Sequence, residues 1–448
     1  MLSNILILVP LILLLFMALT TRRIAESLLS ATLLALFLVY GRNSFQGSID
    51  TMYETLSNES YQYVLLILLL FGPVIKYFQE SGALNSFGKA LEKYAYGKKR
   101  PLVIAWLLCI LLFADEYMSA LAVSHAMRGI TDKNGIPREH LAMQDNAMAA
   151  CIAVFVPLTS WTAFSVGLIR PYGMDFADYV RAVPTMFFPM AMILIMLLTA
   201  LGIVPKLGNL KKAYERVEGG GSAVPGEAPD ASENASEGGP EENKAKLFDL
   251  LIPLALLIIG LMLPGQDLLR GLILALIGQF VLYTSRGIIS IKRFFDLFFE
   301  GARSMLNTSI IVGIGFTFCG LNDKLGTFGY IINTAGTALP GVLLPMAAFL
   351  TVGVLTFATG ESWVMQVIAM PVFIPLAMES GVSAVLTLSA LMSGISLGYC
   401  LCFYADAVLM TSGATAVPSV ELSKTSMPYA LIATAISAVL FALLGILS

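Results

Sequence analysis

Charge is what this sequence has least of. Asp, Glu, Lys and Arg together make up 13% of the 448 residues, about half of the roughly 25% usual in a soluble protein. Hydrophobic residues make up 57%, and the mean hydropathy is +0.81. A chain this apolar is a polytopic membrane protein. Neither sign of charge is in excess: 27 Lys and Arg against 30 Asp and Glu leave a formal charge of -3. Without a basic surplus, nucleic acid is excluded as a main partner. Histidine occurs twice and cysteine five times. Cys109, Cys151, Cys319, Cys400 and Cys402 all lie in apolar stretches, and no Cys/His pair has zinc-like spacing, so neither a disulfide framework nor a metal ribbon is indicated and no cofactor is expected. The G-x-S-G serine of a rhomboid-like protease and the G-x-G-D of an aspartyl type are both missing, which argues against intramembrane proteolysis and against an enzyme of that kind.

What is present is a series of apolar runs. The first, residues 2 to 19, has no Lys or Arg before it and is followed by Arg22 and Arg23, the reverse of a secretory signal peptide. It reads as a retained helix with its N-terminus outside. A helix needs about 20 residues to cross the apolar slab, and 2 to 19, 24 to 40, 61 to 79, 182 to 204, 247 to 264, 268 to 285, 303 to 321 and 428 to 447 qualify.

The rest does not fit simple spans. Residues 101 to 114 and 117 to 127 are each too short to cross and are separated by Asp115 and Glu116, with Lys98, Lys99 and Arg100 before them and Arg128, Lys133 and Arg138 after. Basic clusters at both ends put both ends in the cytoplasm. The pattern predicts a re-entrant hairpin whose tip carries the two acids near mid-membrane, where irregular backbone must be buried in protein or line a cavity. Residues 140 to 170 are too long for one crossing and are interrupted at Pro157-Leu158-Thr159-Ser160-Trp161-Thr162, which reads as a broken helix.

The second half repeats this order: three spans, two short arms at 341 to 356 and 363 to 378 around Thr359-Gly360-Glu361-Ser362, then a segment from 383 to 412 interrupted at 398 to 406. Asp115 and Ser160 are 45 positions apart, Thr359 and Asp406 47. Five complete crossings per half, the hairpin adding none, start the second half on the opposite side. The reading is therefore an all-α polytopic membrane protein of two inverted-topology repeats, each with three scaffold helices, a re-entrant helical hairpin, a broken helix and a further transmembrane helix. Residues 1–204 form the first repeat, 205–246 a disordered acidic cytoplasmic linker rich in glycine, and 247–448 the second repeat. The expected location is the cell membrane. Amphipathic stretches at 81 to 94 and 289 to 304 suit the interface and frame a mobile unit.

Inverted repeats with broken helices meeting at the midplane are the architecture of secondary transporters. Five carboxylates fall near the breaks: Asp115, Glu116, Asp145, Glu361 and Asp406. A charge at the bilayer centre costs at least about 2.5 kcal/mol on insertion scales, so each is a functional candidate by default. Adjacent helical positions face differently, so one of Asp115 and Glu116 faces the site. Asp145 reads as a first-turn acid that favours the helix dipole. Oxygen donors for Na+ come from Thr159, Ser160 and Thr162 at one break and Thr356, Thr359 and Ser362 at the other, although membrane hydroxyls commonly back-bond to the preceding turn. Trp161 and Trp363 each follow a serine at a break, as site walls or as packing. His125 and His140 bracket a basic loop and read as interfacial residues.

At these residues the chain resembles the NhaC-type sodium/proton antiporter family of the ion-transporter superfamily. Phe113-Ala114-Asp115-Glu116-Tyr117, Thr131-Asp132-Lys133 and Arg138-Glu139-His140-Leu141-Ala142 are similar to its F-A-D-D-Y, T-D-[KR] and R-E-K-L-A. Thr159-Ser160-Trp161 and Thr356-Phe357-Ala358-Thr359-Gly360-Glu361-Ser362-Trp363 resemble I-S-S-W and T-F-A-T-G-T-S-W, and Gly398 with Asp406 matches the ends of G-D-H-C-S-P-I-S-D. Tyr399 and Cys400 stand where the family has Asp-His, Asn146 begins the counterpart of D-S-T-A-A-P, Ser119 replaces the Asn of D-Y-x-N, and Glu361 replaces a neutral Thr. The resemblance implies a cation/proton antiporter working by alternating access, with a homodimer as the analogous assembly. Asp115, Thr359 and Asp406 are its candidate Na+ ligands. Asp115, Glu116, Ser119, Asn146, Thr159, Ser160, Trp161, Thr359, Gly360, Glu361, Ser362, Tyr399 and Asp406 form the candidate ion or substrate site. The alternative is a Na+- or H+-coupled carrier of a small organic acid or amino acid.

Overall fold

The computed structural model describes residues 2–21, 24–82, 96–113, 116–225, 246–262, 268–327, 329–330 and 341–447. Regular structure among them is all helical. Helices α1 (Leu2–Thr21), α2 (Ile24–Tyr40), α3 (Ser44–Ser57) and α4 (Glu59–Ser81) precede a hairpin of α5 (Arg100–Leu111) and α6 (Glu116–Lys133). A broken helix of α7 (Arg138–Phe155) and α8 (Ser160–Ile169) follows, then α9 (Phe176–Ala182), α10 (Phe187–Ala200) and α11 (Gly208–Glu218). The second half brings α12 (Leu247–Met262), α13 (Leu268–Ser285), α14 (Ile291–Ser304), α15 (Leu306–Lys324), a hairpin of α16 (Leu344–Thr359) and α17 (Ser362–Glu379), a broken helix of α18 (Ala384–Leu401) and α19 (Asp406–Thr415), and α20 (Ser419–Leu447). Among the described residues, eight helical stretches are long and apolar enough to cross a membrane, or ten if bent pairs count as one span each.

Local chemistry explains the boundaries. Asn58 Oδ1 accepts from the Tyr61 amide at 3.0 Å to cap α4, and Gly82, at φ +69°, ends it. Asp175 closes a capping box with Asp178 at the start of α9. Pro101 and Pro345 occupy the first turns of α5 and α16, where no amide partner is lost.

Helices of both halves interleave. Helix α14 crosses α4 where Gly72 meets Gly301 backbone to backbone, a contact that any Cβ would obstruct. Gly353, Gly394 and Gly398 let α16 lie against α18 in the same way. The largest core cluster surrounds α7, α8, α17 and α18, so the apolar centre lies among the hairpins and broken helices and the α4/α14 pair flanks it.

Several boundaries differ from the sequence reading. The stretch 182 to 204 is not one straight span: Phe176–Thr185 and Phe187–Ala200 meet at 52°, because Pro184 and the non-helical Met186, at φ −75° and ψ 75°, interrupt the ladder. Helix α18 runs through Gly398 to Leu401, and its break is residues 402 to 405. The linker is not disordered throughout. Residues 208 to 218 fold as α11, burying Leu210, Ala213 and Tyr214, with Arg216 paired to Glu139 and His140 Nδ1 sharing a 2.8 Å hydrogen bond with the Tyr214 hydroxyl. His140 is thus a buried residue beneath α11 rather than an interfacial one. Linker residues 226–245 and nearly all of the expected amphipathic stretch 81 to 94 lie outside the described residues.

Candidate functional site

The three interruptions that lie within the described residues are built differently and converge. Helix α7 ends because Val156 turns extended before Pro157. Thr159 restarts the chain as α8: its Oγ1 accepts from the Thr162 amide at 3.2 Å and donates to the Ala153 carbonyl at 2.6 Å. The two segments meet at 42°. At the second hairpin, Gly360 takes the left-handed conformation at φ +74° and Glu361 is extended before α17. At the second broken helix, Cys402 is extended and α19 begins at Asp406.

The interruptions touch one another. A Cβ on Gly360 would stand 2.9 Å from the Tyr404 ring and 3.2 Å from Cys402 Sγ, and the Tyr404 hydroxyl donates to the Ala358 carbonyl. Asn146 Nδ2, on α7, donates to the Cys400 carbonyl near the end of α18 at 2.8 Å. Trp161 is fully buried at the centre. Its ring lies 5.4 Å from Tyr399 and 5.9 Å from Trp363, and its Nε1 donates to Glu116 Oε1 at 2.9 Å. The Tyr399 hydroxyl donates to Asp406 Oδ1, which also accepts the Ala407 amide at 2.9 Å. Glu116, Trp161, Tyr399 and Asp406 therefore form one continuous path from the first hairpin to the second broken helix.

Burial grades along this path. Glu116 is buried, Glu361 half-buried and Asp406 exposed. Ser119 is buried one turn beyond Glu116. Three enclosed oxygens, Asn146 Oδ1, Thr356 Oγ1 and Ser362 Oγ, have no hydrogen-bond partner, which disposes them to accept a cation or water. Thr359 instead bonds back to the Leu355 carbonyl at 2.9 Å, and Thr159 is used as a cap. Asp115 lies outside the described residues. No group of three or more His, Cys, Asp or Glu suited to a metal occurs among the described residues. A cation here would meet a mixed set of carboxylate, amide, hydroxyl and carbonyl oxygens, a hard donor set.

A cavity of about 330 Å³ adjoins the path, lined by Glu116, Ser160 and Trp363 on one side and by Lys76, Glu300 and Ser304 of α4 and α14 on the other. It lies between the hairpin and broken-helix elements and the α4/α14 pair.

Asp145 does not occupy a first turn. It is fully buried two turns into α7, accepting from the Ser124 hydroxyl and, at 3.4 Å, from the Cys109 thiol. The run Gln144-Asp145-Asn146 inside an apolar helix is the signal that marks it. Gln366, fully buried, accepts from the Ser165 hydroxyl at 2.6 Å and links α8 to α17. Lys76 and Glu300 lacked a sequence signal, since only the crossing of α4 and α14 turns them toward the cavity.

Hairpins and broken helices that bring polar and charged groups together inside an apolar helical protein define a secondary transporter. The chain belongs to the Na+/H+ antiporter family, whose model matches residues 152–446. An uncharacterized protein of Haemophilus influenzae is 22% identical over 482 residues, covering 97% of this chain and 90% of that relative. The fold is similar to that of the Alcanivorax borkumensis YdaH transporter, described as having an unusual topology, with a TM-score of 0.60 and 14% identity over 90% of this chain and 88% of that one. It is also similar to Neisseria gonorrhoeae MtrF, described as illuminating a class of antimetabolite efflux pumps, with a TM-score of 0.56 and 12% identity over 89% and 83%.

Proposed function

We propose that the chain exchanges Na+ for H+ by alternating access, with Glu361 and Asp406 carrying the coupling charge. The supporting observation is that the two interruptions bearing these carboxylates touch: a Cβ on Gly360, next to Glu361, would stand 2.9 Å from the Tyr404 ring, two residues before Asp406. Two like charges held close together repel unless a proton or a cation joins them. Binding of Na+ therefore releases a proton, and protonation releases Na+, so the two ions compete for one charge. Asn146 Oδ1 and Ser362 Oγ complete the oxygen set from the neighbouring elements.

The cavity supports a moving boundary between the two sides. The hairpins and broken helices shift against α4 and α14, and access passes from one face to the other. In this reading the halves 1–204 and 247–448 are inverted in the cell membrane, the linker is cytoplasmic and the assembly is a homodimer. Purified protein in proteoliposomes carrying a pH gradient provides the test. Added Na+ dissipates the gradient with wild type and fails with Glu361→Gln and with Asp406→Asn; unchanged exchange in both variants overturns the assignment.

A second reading, an ion-coupled carrier of a small organic solute, is favoured by the cavity volume of about 330 Å³. That volume lies at the lower end of the roughly 300–1,000 Å³ typical of small-molecule sites.

A further inference from the structure

Two chain segments bring positive charge together at one end of the helical body. Residues 96–100 lead into α5 and residues 201–206 leave α10, and they meet at Gly202, where an added Cβ would stand 3.6 Å from Lys99 Cε. Both helices turn exposed apolar side chains outward, Leu107 from α5 and Leu194 from α10, so the junction lies at the end of a lipid-facing surface. Lys98, Lys99, Arg100, Lys206 and Lys212 are exposed. Lys98 and Lys206 share a single acid, Glu218, at 2.9 and 3.9 Å, and no acid among the described residues pairs with Lys99, Arg100 or Lys212. The remaining charges of α11 cancel, Lys211 with Glu215 and Arg216 with Glu139, and beside its first turn Lys424 cancels Glu421. The patch is left strongly positive. Three of its cations also crowd the positive end of the α5 dipole, where no side chain caps the first amides, an arrangement that an external anion relieves.

We infer that this patch binds the headgroup of an anionic phospholipid, with the phosphate at Lys99, Arg100 and the first turn of α5 and the acyl chains along Leu107, Leu194 and Ile203. The Arg100 guanidinium lies 3.7 Å over the Tyr96 ring, and the Lys206 ammonium 3.3 Å over that of Tyr214, so aromatic faces hold two of the cations in place. Beside them, Ile203 is 67% and Tyr96 59% exposed. Apolar exposure next to unpaired cations suits a lipid, whose headgroup and chains use both, whereas a soluble phosphate uses only the charge. A zwitterionic headgroup brings its own cation to a patch that already has a surplus. The site lies outside the interruptions that hold the candidate coupling carboxylates, and lipid binding here is independent of which ion or solute the protein carries.

Phosphatidylglycerol is the probe, with phosphatidylcholine and inorganic phosphate as the other arms. Full-length protein in neutral detergent and low salt is titrated with each, and the melting temperature and the lipid retained in native mass spectrometry are read. Phosphatidylglycerol is expected to be retained and to raise the melting temperature, an effect that added NaCl weakens, while phosphatidylcholine and inorganic phosphate do neither. Lys99→Gln and Arg100→Gln each raise the half-saturating phosphatidylglycerol concentration about fivefold, the effect of one juxtamembrane cation at an anionic surface. Arg42→Gln removes the same charge from an exposed site between α2 and α3 and leaves that concentration within twofold. All three side chains are exposed, so the variants keep the wild-type melting temperature without lipid. An unchanged phosphatidylglycerol response in the Lys99→Gln/Arg100→Gln double variant overturns the inference, as does an equal loss in Arg42→Gln. A response to phosphatidylcholine as large as that to phosphatidylglycerol overturns the recognition of charge, and an equal response to inorganic phosphate overturns the lipid in favour of a soluble anion.

Discussion

The indole Nε1 of Trp161 donates to Oε1 of Glu116 at 2.9 Å, joining two residues 45 positions apart in the chain. Both side chains are buried, and an acid withdrawn from water depends on such donors. Trp161 also lies against Tyr399, so one ring ties the first hairpin to the second broken helix. Trp161→Phe keeps most of the packing and removes the donor. The expected cost is about 1.5–3 kcal/mol, the usual contribution of a hydrogen bond to a charged group. Thermal unfolding in detergent would show a lowered melting temperature, with Trp161→Leu lower still.

Tyr399 and Asp406 separate two roles. Tyr399→Phe leaves the ring beside Trp161 and deletes the hydroxyl that donates to the carboxylate. Exchange is expected to persist with a several-fold change in half-saturating Na+, because the ion-binding charge remains and its orientation is loosened. Asp406→Asn removes the charge and abolishes Na+-driven exchange. A Na+ titration of pH-gradient dissipation distinguishes the two behaviours.

Gly360 is irreplaceable for two independent reasons. Its φ of +74° disfavours any side chain, and a Cβ would press on the Tyr404 ring at 2.9 Å. Gly381 shares the conformation, at φ +70°, but a Cβ there meets nothing within 4 Å. Gly360→Ala is therefore expected to cost distinctly more than Gly381→Ala, whose strain alone is about 1–2 kcal/mol. Folded yield and melting temperature, compared side by side, check the order.

Helix α11 is strapped across the end of the first broken helix. Arg216 grips Glu139 through two hydrogen bonds of 2.7 and 2.9 Å, and Lys98 reaches Glu218 at 2.9 Å. Glu139 is buried, so Glu139→Gln leaves the guanidinium without its bidentate partner. A loss of about 1–3 kcal/mol is expected, since Arg216 keeps part of its hydration. Limited proteolysis should then cut within 205–225 faster than in the wild-type protein, whereas Lys98→Ala, removing an exposed pair, should change little.

The sequence already marked where the backbone breaks, and the physical reason is direct. Proline, glycine and hydroxyl clusters inside apolar runs admit no other use at membrane depth, and Pro157, Gly360 and Asp406 all fall at or beside observed interruptions. Trp161 was legible as a wall but not as a donor, because its partner lies on another element. Asp145 was misplaced because its role depends on where α7 begins: a start at Arg138 puts it two turns in, against Ser124 and Cys109. Residues 208 to 218 read as disordered because charge and glycine dominate the surrounding stretch. The four-residue spacing of Leu210 and Tyr214 is the only local sign of a buried face, and what buries it is α20 and His140. Lys76 and Glu300 show the general limit: a residue is assigned to a cavity by helix crossings, which no local pattern records.

The central claim is that one pair of carboxylates exchanges a cation for a proton. Its most direct test is uptake of radiolabelled Na+ into proteoliposomes with an acidic interior and no other driving force. The account predicts transient accumulation of Na+ above its external concentration by wild type, collapsing when an ionophore dissipates the pH gradient, and none by Glu361→Gln or Asp406→Asn. Accumulation that survives in both variants, or that is independent of the pH gradient in wild type, would contradict it.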